Sequence, residues 1–212
     1  FALNGWAEIE TISTQNHAGT DGISIRGNEF SQTLIGNYGS NALYGDGGAY
    51  TLIGLNGDDI YVVSDANTQV VDGAGGGTDL VYASVSYMLS ANAQVETLST
   101  QVHAGTDPLN LSGNGFAQAV IGNYGANVVS SGGGSDTLIG LAGSDTFLMN
   151  AIPVAGSVVT VADFIVGEDR IALGTTQFGL ATGALAAGAF VAGASAPDAD
   201  DRILYDGTTG RL

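Results

Sequence analysis

The sequence predicts an all-β fold, a parallel β-solenoid closed by a C-terminal β cap. Three observations predict it: an internal duplication, a nine-residue period inside each copy, and a wealth of glycine at turn positions. Repetition at a fixed period is the mark of stacked architectures, so it is taken first.

The stretch Glu10 to Asp59 recurs 86 residues later as Glu96 to Asp145. ETISTQNHAGTD (10–21) matches ETLSTQVHAGTD (96–107), LIGNYGSN (34–41) matches VIGNYGAN (120–127), and TLIGLNGDD (51–59) matches TLIGLAGSD (137–145). About half of the aligned positions are identical, which marks a duplication.

Inside each copy glycine recurs every nine residues, at Gly27, Gly36, Gly45 and Gly54, then at Gly113, Gly122 and Gly140, with Ser131 filling the gap. Seven positions after each stands an apolar residue: Leu34, Leu43, Leu52 and Tyr61, then Val120, Val129, Leu138 and Phe147. A period of nine fits neither an amphipathic helix nor a long alternating strand. It fits a six-residue turn followed by a three-residue strand whose middle side chain points inward. Two such units complete a coil, and stacking brings like positions to about 4.8 Å, the spacing of neighbouring strands. Between the two blocks, Val70-Val71, Leu80 to Met88 and Val95 to Thr100 read as further strands, with a turn at Ser90, Ala91 and Asn92. The alanine-rich run 181–192 is interrupted by glycine, which argues against a long helix.

Composition narrows the function. Asp and Glu number 21 against four Lys and Arg, for a net charge of −17. Nucleic acid binding needs a basic footprint that is missing here. The same charge argues against an anionic membrane surface, and no apolar run reaches spanning length. Acidic chains of low hydrophobicity stay disordered, yet 44% of this one is hydrophobic. A fold whose carboxylates are neutralised by a bound cation is the economical reading. Cysteine is absent, so no disulfide helps. The chain starts at Phe1 without Met, and a piece of a longer protein is expected.

The segments AGGGTDLVY (74–82), SGGGSDTLI (131–139), GLNGDDIYV (54–62) and GLAGSDTFL (140–148) resemble the repeats-in-toxin (RTX) nonapeptide, G-G-x-G-x-D-x-U-x with U apolar. The resemblance covers roughly residues 18–62, 74–82 and 104–148, and the tail resembles the cap that follows such repeats, in DFIVGEDRIAL (163–173) and DADDRILYDGTTGRL (198–212). It implies a β-roll in units 1–93 and 94–150, followed by a cap region over 151–212. It also implies calcium as the cofactor and a secreted bacterial protein, exported by a type I system and folding outside the cell.

In that family a glycine-rich turn with Asp at its sixth position resembles half a calcium site, and the turn one coil further on completes it. Position six here is Gln32, Asn41, Tyr50 and Asp59, then Gln118, Asn127, Asp136 and Asp145. Asn41 with Asp59, Asn127 with Asp145, and Asp145 with Asp163 are each 18 residues apart; Asp79 lies 20 beyond Asp59. The expected metal residues are therefore Asp59, Asp79, Asp136, Asp145, Asp163, Asn41 and Asn127, with Asp58 beside Asp59. Tyr50 removes a site on its side, and Asn and Gln are expected to form hydrogen-bonded ladders that need no metal. Asp, Asn and Gly also favour turns for purely conformational reasons.

Other residues read as structural. His17 and His103, at one place in both copies, suit turn hydrogen bonds, and Arg170 and Arg202 adjoin Asp169 and Asp201. Tyr38 and Tyr124 suit either a sugar platform or the covering of solenoid ends. No zinc-protease, nucleophile-elbow or phosphate-loop motif appears. The sequence therefore predicts a non-catalytic calcium-binding module. Two rivals stand beside it: part of a secreted hydrolase or polysaccharide lyase or epimerase, and an adhesive, self-associating or glycan-binding module with an outward apolar stripe at position nine.

Overall fold

The computed structural model describes residues 1–152, 155–184, 186–193 and 203–206. Seventeen short strands, numbered in chain order, alternate between two walls of a parallel solenoid. One wall is an eight-stranded sheet of β2 (Ser24–Arg26), β4 (Ala42–Gly45), β6 (Ile60–Val63), β8 (Leu80–Ala83), β10 (Thr97–Thr100), β12 (Ala119–Ile121), β14 (Thr137–Ile139) and β16 (Thr160–Val161). The other wall is divided. Its first part holds β1 (Thr11–Ser13), β3 (Thr33–Ile35), β5 (Thr51–Ile53) and β7 (Gln69–Val71). Its second part holds β9 (Tyr87–Met88), β11 (Leu111–Ser112), β13 (Val128–Ser130), β15 (Thr146–Met149) and β17 (Arg170–Leu173).

The nine-residue phase is the one the residues dictate. Thr33 pairs with Thr51 and Ala42 with Ile60, partners 18 residues apart, so two nonapeptides make one coil. The middle residue of each strand points inward: Leu34, Leu43, Leu52, Tyr61, Val120, Val129, Leu138 and Phe147 are all fully buried in one core. The position-nine residues Ile35, Ile53, Ile121, Ile139 and Leu148 are half-buried on the outside, and Val62 is buried. The stretch expected as one strand over Leu80 to Met88 breaks into β8 and β9 at a bend over Ser84 and Val85.

The duplication has a geometric consequence that composition hides. Its offset carries β3 onto β12 and β6 onto β15, nine strands on, and nine is odd. Equivalent turns of the two copies therefore open onto opposite walls.

After β17 comes a single helical turn, Thr175–Phe178. Residues 163–173, read as part of the cap, add β17 to the wall through its pairing with β15. Gly179–Leu212 forms its own compact unit, in which a 3-10 turn (Ala187–Ala189) leads into β18 (Phe190–Ala192), paired in parallel with β19 (Ile203–Tyr205). Residues 198–202 and 207–212 of the expected cap, including Arg202, lie outside the described residues.

Leu138 sits between Val120 and Val161 in the inner stack. Leu138→Ala should cost about 2–5 kcal/mol in chemical denaturation, and Ile139→Ala, facing outward, should cost clearly less. Equal costs would mean that the inward phase is misplaced.

Candidate metal centre

The residue just before each strand is position six, and it links one coil to the next. On the eight-stranded wall, Asp59 Oδ1 accepts from the Asn41 backbone N–H at 2.7 Å, and Asp79 Oδ1 from Asp59 N–H at 2.8 Å. Glu96 Oε2 accepts from Asp79 N–H at 2.7 Å, and Asp136 Oδ1 from Gln118 N–H at 2.8 Å. Opposite, Asp145 Oδ1 accepts from Asn127 N–H at 2.8 Å, and Asp169 Oδ1 from Asp145 N–H at 2.8 Å. A buried backbone N–H must find an acceptor, and here a side-chain oxygen from the adjacent coil supplies it.

The turns fall into two kinds. In the first, position two is Asn and position six an amide: Asn28 with Gln32, Asn37 with Asn41, Asn114 with Gln118, and Asn123 with Asn127. These pairs brace their own turn, as Gln32 Nε2 donates to Asn28 Oδ1 at 2.8 Å and Asn127 Nδ2 to Asn123 Oδ1 at 2.9 Å. The second kind ends in Asp59, Asp79, Asp136 or Asp145. Position two is left-handed in each, at Leu55 (φ 84°), Gly75 (77°), Gly132 (75°) and Leu141 (75°). Position four is left-handed too, at Gly57, Gly77, Gly134 and Gly143. That backbone region favours glycine, and glycine stands at both places in the nonapeptide pattern.

Only one oxygen of each buried Asp on the eight-stranded wall is used. Asp59 Oδ2, Asp79 Oδ2 and Asp136 Oδ2 have no hydrogen-bond partner, although these residues are 1–2% exposed. Asp72, 4% exposed, has Oδ1 unpartnered as well, and its Oδ2 accepts from the Tyr61 hydroxyl at 2.6 Å. Carboxylate oxygens of Asp59, Asp72 and Asp79 lie within 4.8 Å of one another. Burial pushes the carboxyls up, Asp59 and Asp136 to about 6 and Asp79 to about 7, with the neighbouring Asp72 and Asp59 raising Asp79 further. A buried lone pair without a donor is costly. An oxygen-seeking hard cation removes that cost, and these carboxylates are its ligand type. The residues fit calcium.

The family model described as RTX calcium-binding nonapeptide repeat (4 copies) matches residues 26–61 and 112–147. The chain carries an RTX β-roll. RTX nonapeptide repeats bind calcium, and the module is a calcium-binding one. The chain is also similar to the endo-1,3-1,4-beta-glycanase ExsH of Rhizobium meliloti (strain 1021), 32% identical over 107 residues. That similarity covers 50% of the chain and 20% of the relative, so the chain spans about a fifth of its length. No solved structure matches.

Strand pairing and hydrogen bonds place each expected residue. Asp163 does not take the place one coil beyond Asp145; Asp169 does, because this coil carries 24 residues, Thr146 pairing with Arg170. Both Asp163 oxygens accept backbone N–H groups instead, from Gly140 at 3.0 Å and Leu141 at 2.7 Å. The oxygens of Asn41 and Asn127 are taken by Asn37 N–H and Asn123 N–H, so both act as braces. The amides thus join positions two and six of one turn, and the expected ladder of like amides up the stack does not form. Asp58 is exposed and caps Thr78 N–H at 2.8 Å. Tyr50 is buried and plugs its turn, its hydroxyl accepting from Asn28 N–H at 2.7 Å and donating to Asn28 O.

Asp72 was missed, since it stands directly after β7 where Gly54 stands after β5, a place the nonapeptide pattern gives to glycine. Gly54 must be glycine: a Cβ there would lie 2.0 Å from Asp59 Oδ2 and 2.2 Å from the Tyr61 hydroxyl. His17 and His103 form the expected turn bonds, to Ser13 Oγ at 2.6 Å and Ser99 Oγ at 2.8 Å. Tyr38 and Tyr124 are exposed on turns, 46% and 51%, and do not cover an end. Among the described residues the ion pair is Arg26 with Asp46, not Arg170 with Asp169.

Folded-state values raised above the ordinary 3.8 set the sign of the pH dependence. The associated stability is fully present below about pH 4 and is lost as pH rises through 6 to 7. Chelated protein should therefore melt at a higher temperature near pH 5 than near pH 8, and saturating calcium should remove the difference. A chelated protein more stable near pH 8 would contradict this electrostatic account.

Proposed function

We propose that this chain is the non-catalytic, calcium-dependent structural part of a secreted bacterial protein, exported by a type I system and folding outside the cell. The observation that carries the reading is the division between turns. Amide turns satisfy themselves, whereas three Asp turns on the eight-stranded wall hold buried oxygens with no partner. In the calcium-poor cytoplasm those oxygens oppose folding, and outside the cell millimolar calcium reverses the sign. Asp59, Asp79 and Asp136 are the ligands proposed for these turns, and Asp145 for the Asp turn of the opposite wall; Asp58, Asp163, Asn41 and Asn127 keep the capping and bracing roles seen above.

Acid–base catalysis by paired carboxylates receives no support, because these carboxylates face backbone N–H groups inside the stack. The similarity to part of a glycanase favours one addition: the module accompanies a glycan-acting catalytic part in the whole protein. No helix among the described residues is long and apolar enough to cross a membrane.

Circular dichroism is the direct test of calcium-coupled folding. Chelated protein at neutral pH should lose β signal, and about millimolar calcium, the range of weak extracellular sites, should restore it. A spectrum and melting temperature indifferent to chelator would leave the amide braces as the sole stabilising device and end this reading.

A further inference from the structure

We infer that Asp59, Asp72 and Asp79 together form a closed three-carboxylate cation cage inside the first repeat block, the tightest cation site of the chain, with a preference for trivalent over divalent ions of calcium size. The inference rests on the calcium reading and deepens it at one place.

Three features separate this cage from a nonapeptide turn. Its third carboxylate comes from Asp72, which follows β7 where the repeat pattern has glycine. All three residues are buried, each has one carboxylate oxygen without a hydrogen-bond partner, and carboxylate oxygens of the three lie within 4.8 Å of one another. The Tyr61 hydroxyl donates to Oδ2 of Asp72 at 2.6 Å, which orients the carboxylate. Among the described residues the second block has no such cage. Phe147 stands where Tyr61 stands, and Asp163, two residues after β16, spends both oxygens on backbone N–H groups.

Charge sets the ion. Three buried carboxylates carry three negative charges, and burial penalises whatever remains uncompensated. A calcium ion leaves one, and a trivalent lanthanide of similar size leaves none. Magnesium demands near-octahedral geometry and keeps several waters, which three converging carboxylates do not provide. The competing occupant is a proton shared between Asp72 and Asp79.

The test uses the whole chain, calcium calorimetry, and terbium luminescence excited through tyrosine. Wild type should show one tight step that binds terbium more tightly than calcium. Asp72→Asn should weaken that step at least about tenfold, while Asp136→Asn leaves it intact and removes a weaker one. Tyr61→Phe, which copies Phe147, should weaken the tight step less than Asp72→Asn does and dim the terbium signal; it also serves if Asp72→Asn does not fold. A tight step unchanged in Asp72→Asn, or terbium emission unchanged in Tyr61→Phe, overturns the cage. Calcium binding with no tight step assigns the pair a proton and overturns it too. No calcium binding by any form would instead overturn the calcium reading itself.

Discussion

Stacking is the constraint on which the rest depends. A parallel solenoid places every residue about 4.8 Å from its counterpart in the next coil. For apolar residues this is a gain, and Leu34, Leu52 and Val70 form a dry column. For carboxylates it is a loss. Two charges about 5 Å apart repel by roughly 1 kcal/mol in water and by ~3 kcal/mol at an effective dielectric near 20. Position six is where this conflict arises, because its side chain must reach along the stack to cap a backbone N–H.

The chain resolves the conflict in three ways. Amide turns place a neutral cap at position six and tie it to Asn at position two. Tyr50 fills its turn with a ring whose hydroxyl meets the backbone of Asn28. The Asp turns use one oxygen for the cap, and those of Asp59, Asp79 and Asp136 leave the other without a partner, on a left-handed backbone that glycine tolerates and that Leu55 and Leu141 adopt at a cost. The duplication shows how exchangeable these solutions are: Tyr50 in the first copy corresponds to Asp136 in the second. Since equivalent turns open onto opposite walls, Asp59 and Asp145 serve different columns.

Much of the fold was legible because the repeat is short and regular. Phase, coil length and inward residues followed from Gly27, Leu34 and their echoes. The site was less legible, for a definite reason: pattern matching assumes constant coil length and standard roles. An expanded coil moved Asp169, not Asp163, under Asp145. Asp72 occupies a glycine place, so no count of position-six residues could find it. The bracing role of Asn41 was open to discovery, because every amide at position six in the nonapeptide blocks is preceded four residues earlier by Asn. That pairing, read beside the glycines at positions two and four, would have sorted metal turns from self-sufficient ones.

The central claim is that cations and amides divide the turns between them. Anomalous diffraction from crystals grown in calcium tests it most directly, since it locates ions without assuming ligands. The account predicts calcium peaks beside the free oxygens of Asp59, Asp79 and Asp136, and none in the turns of Gln32, Asn41, Gln118 or Asn127. Peaks in the amide turns, or Asp turns without ions at saturating calcium, would contradict it.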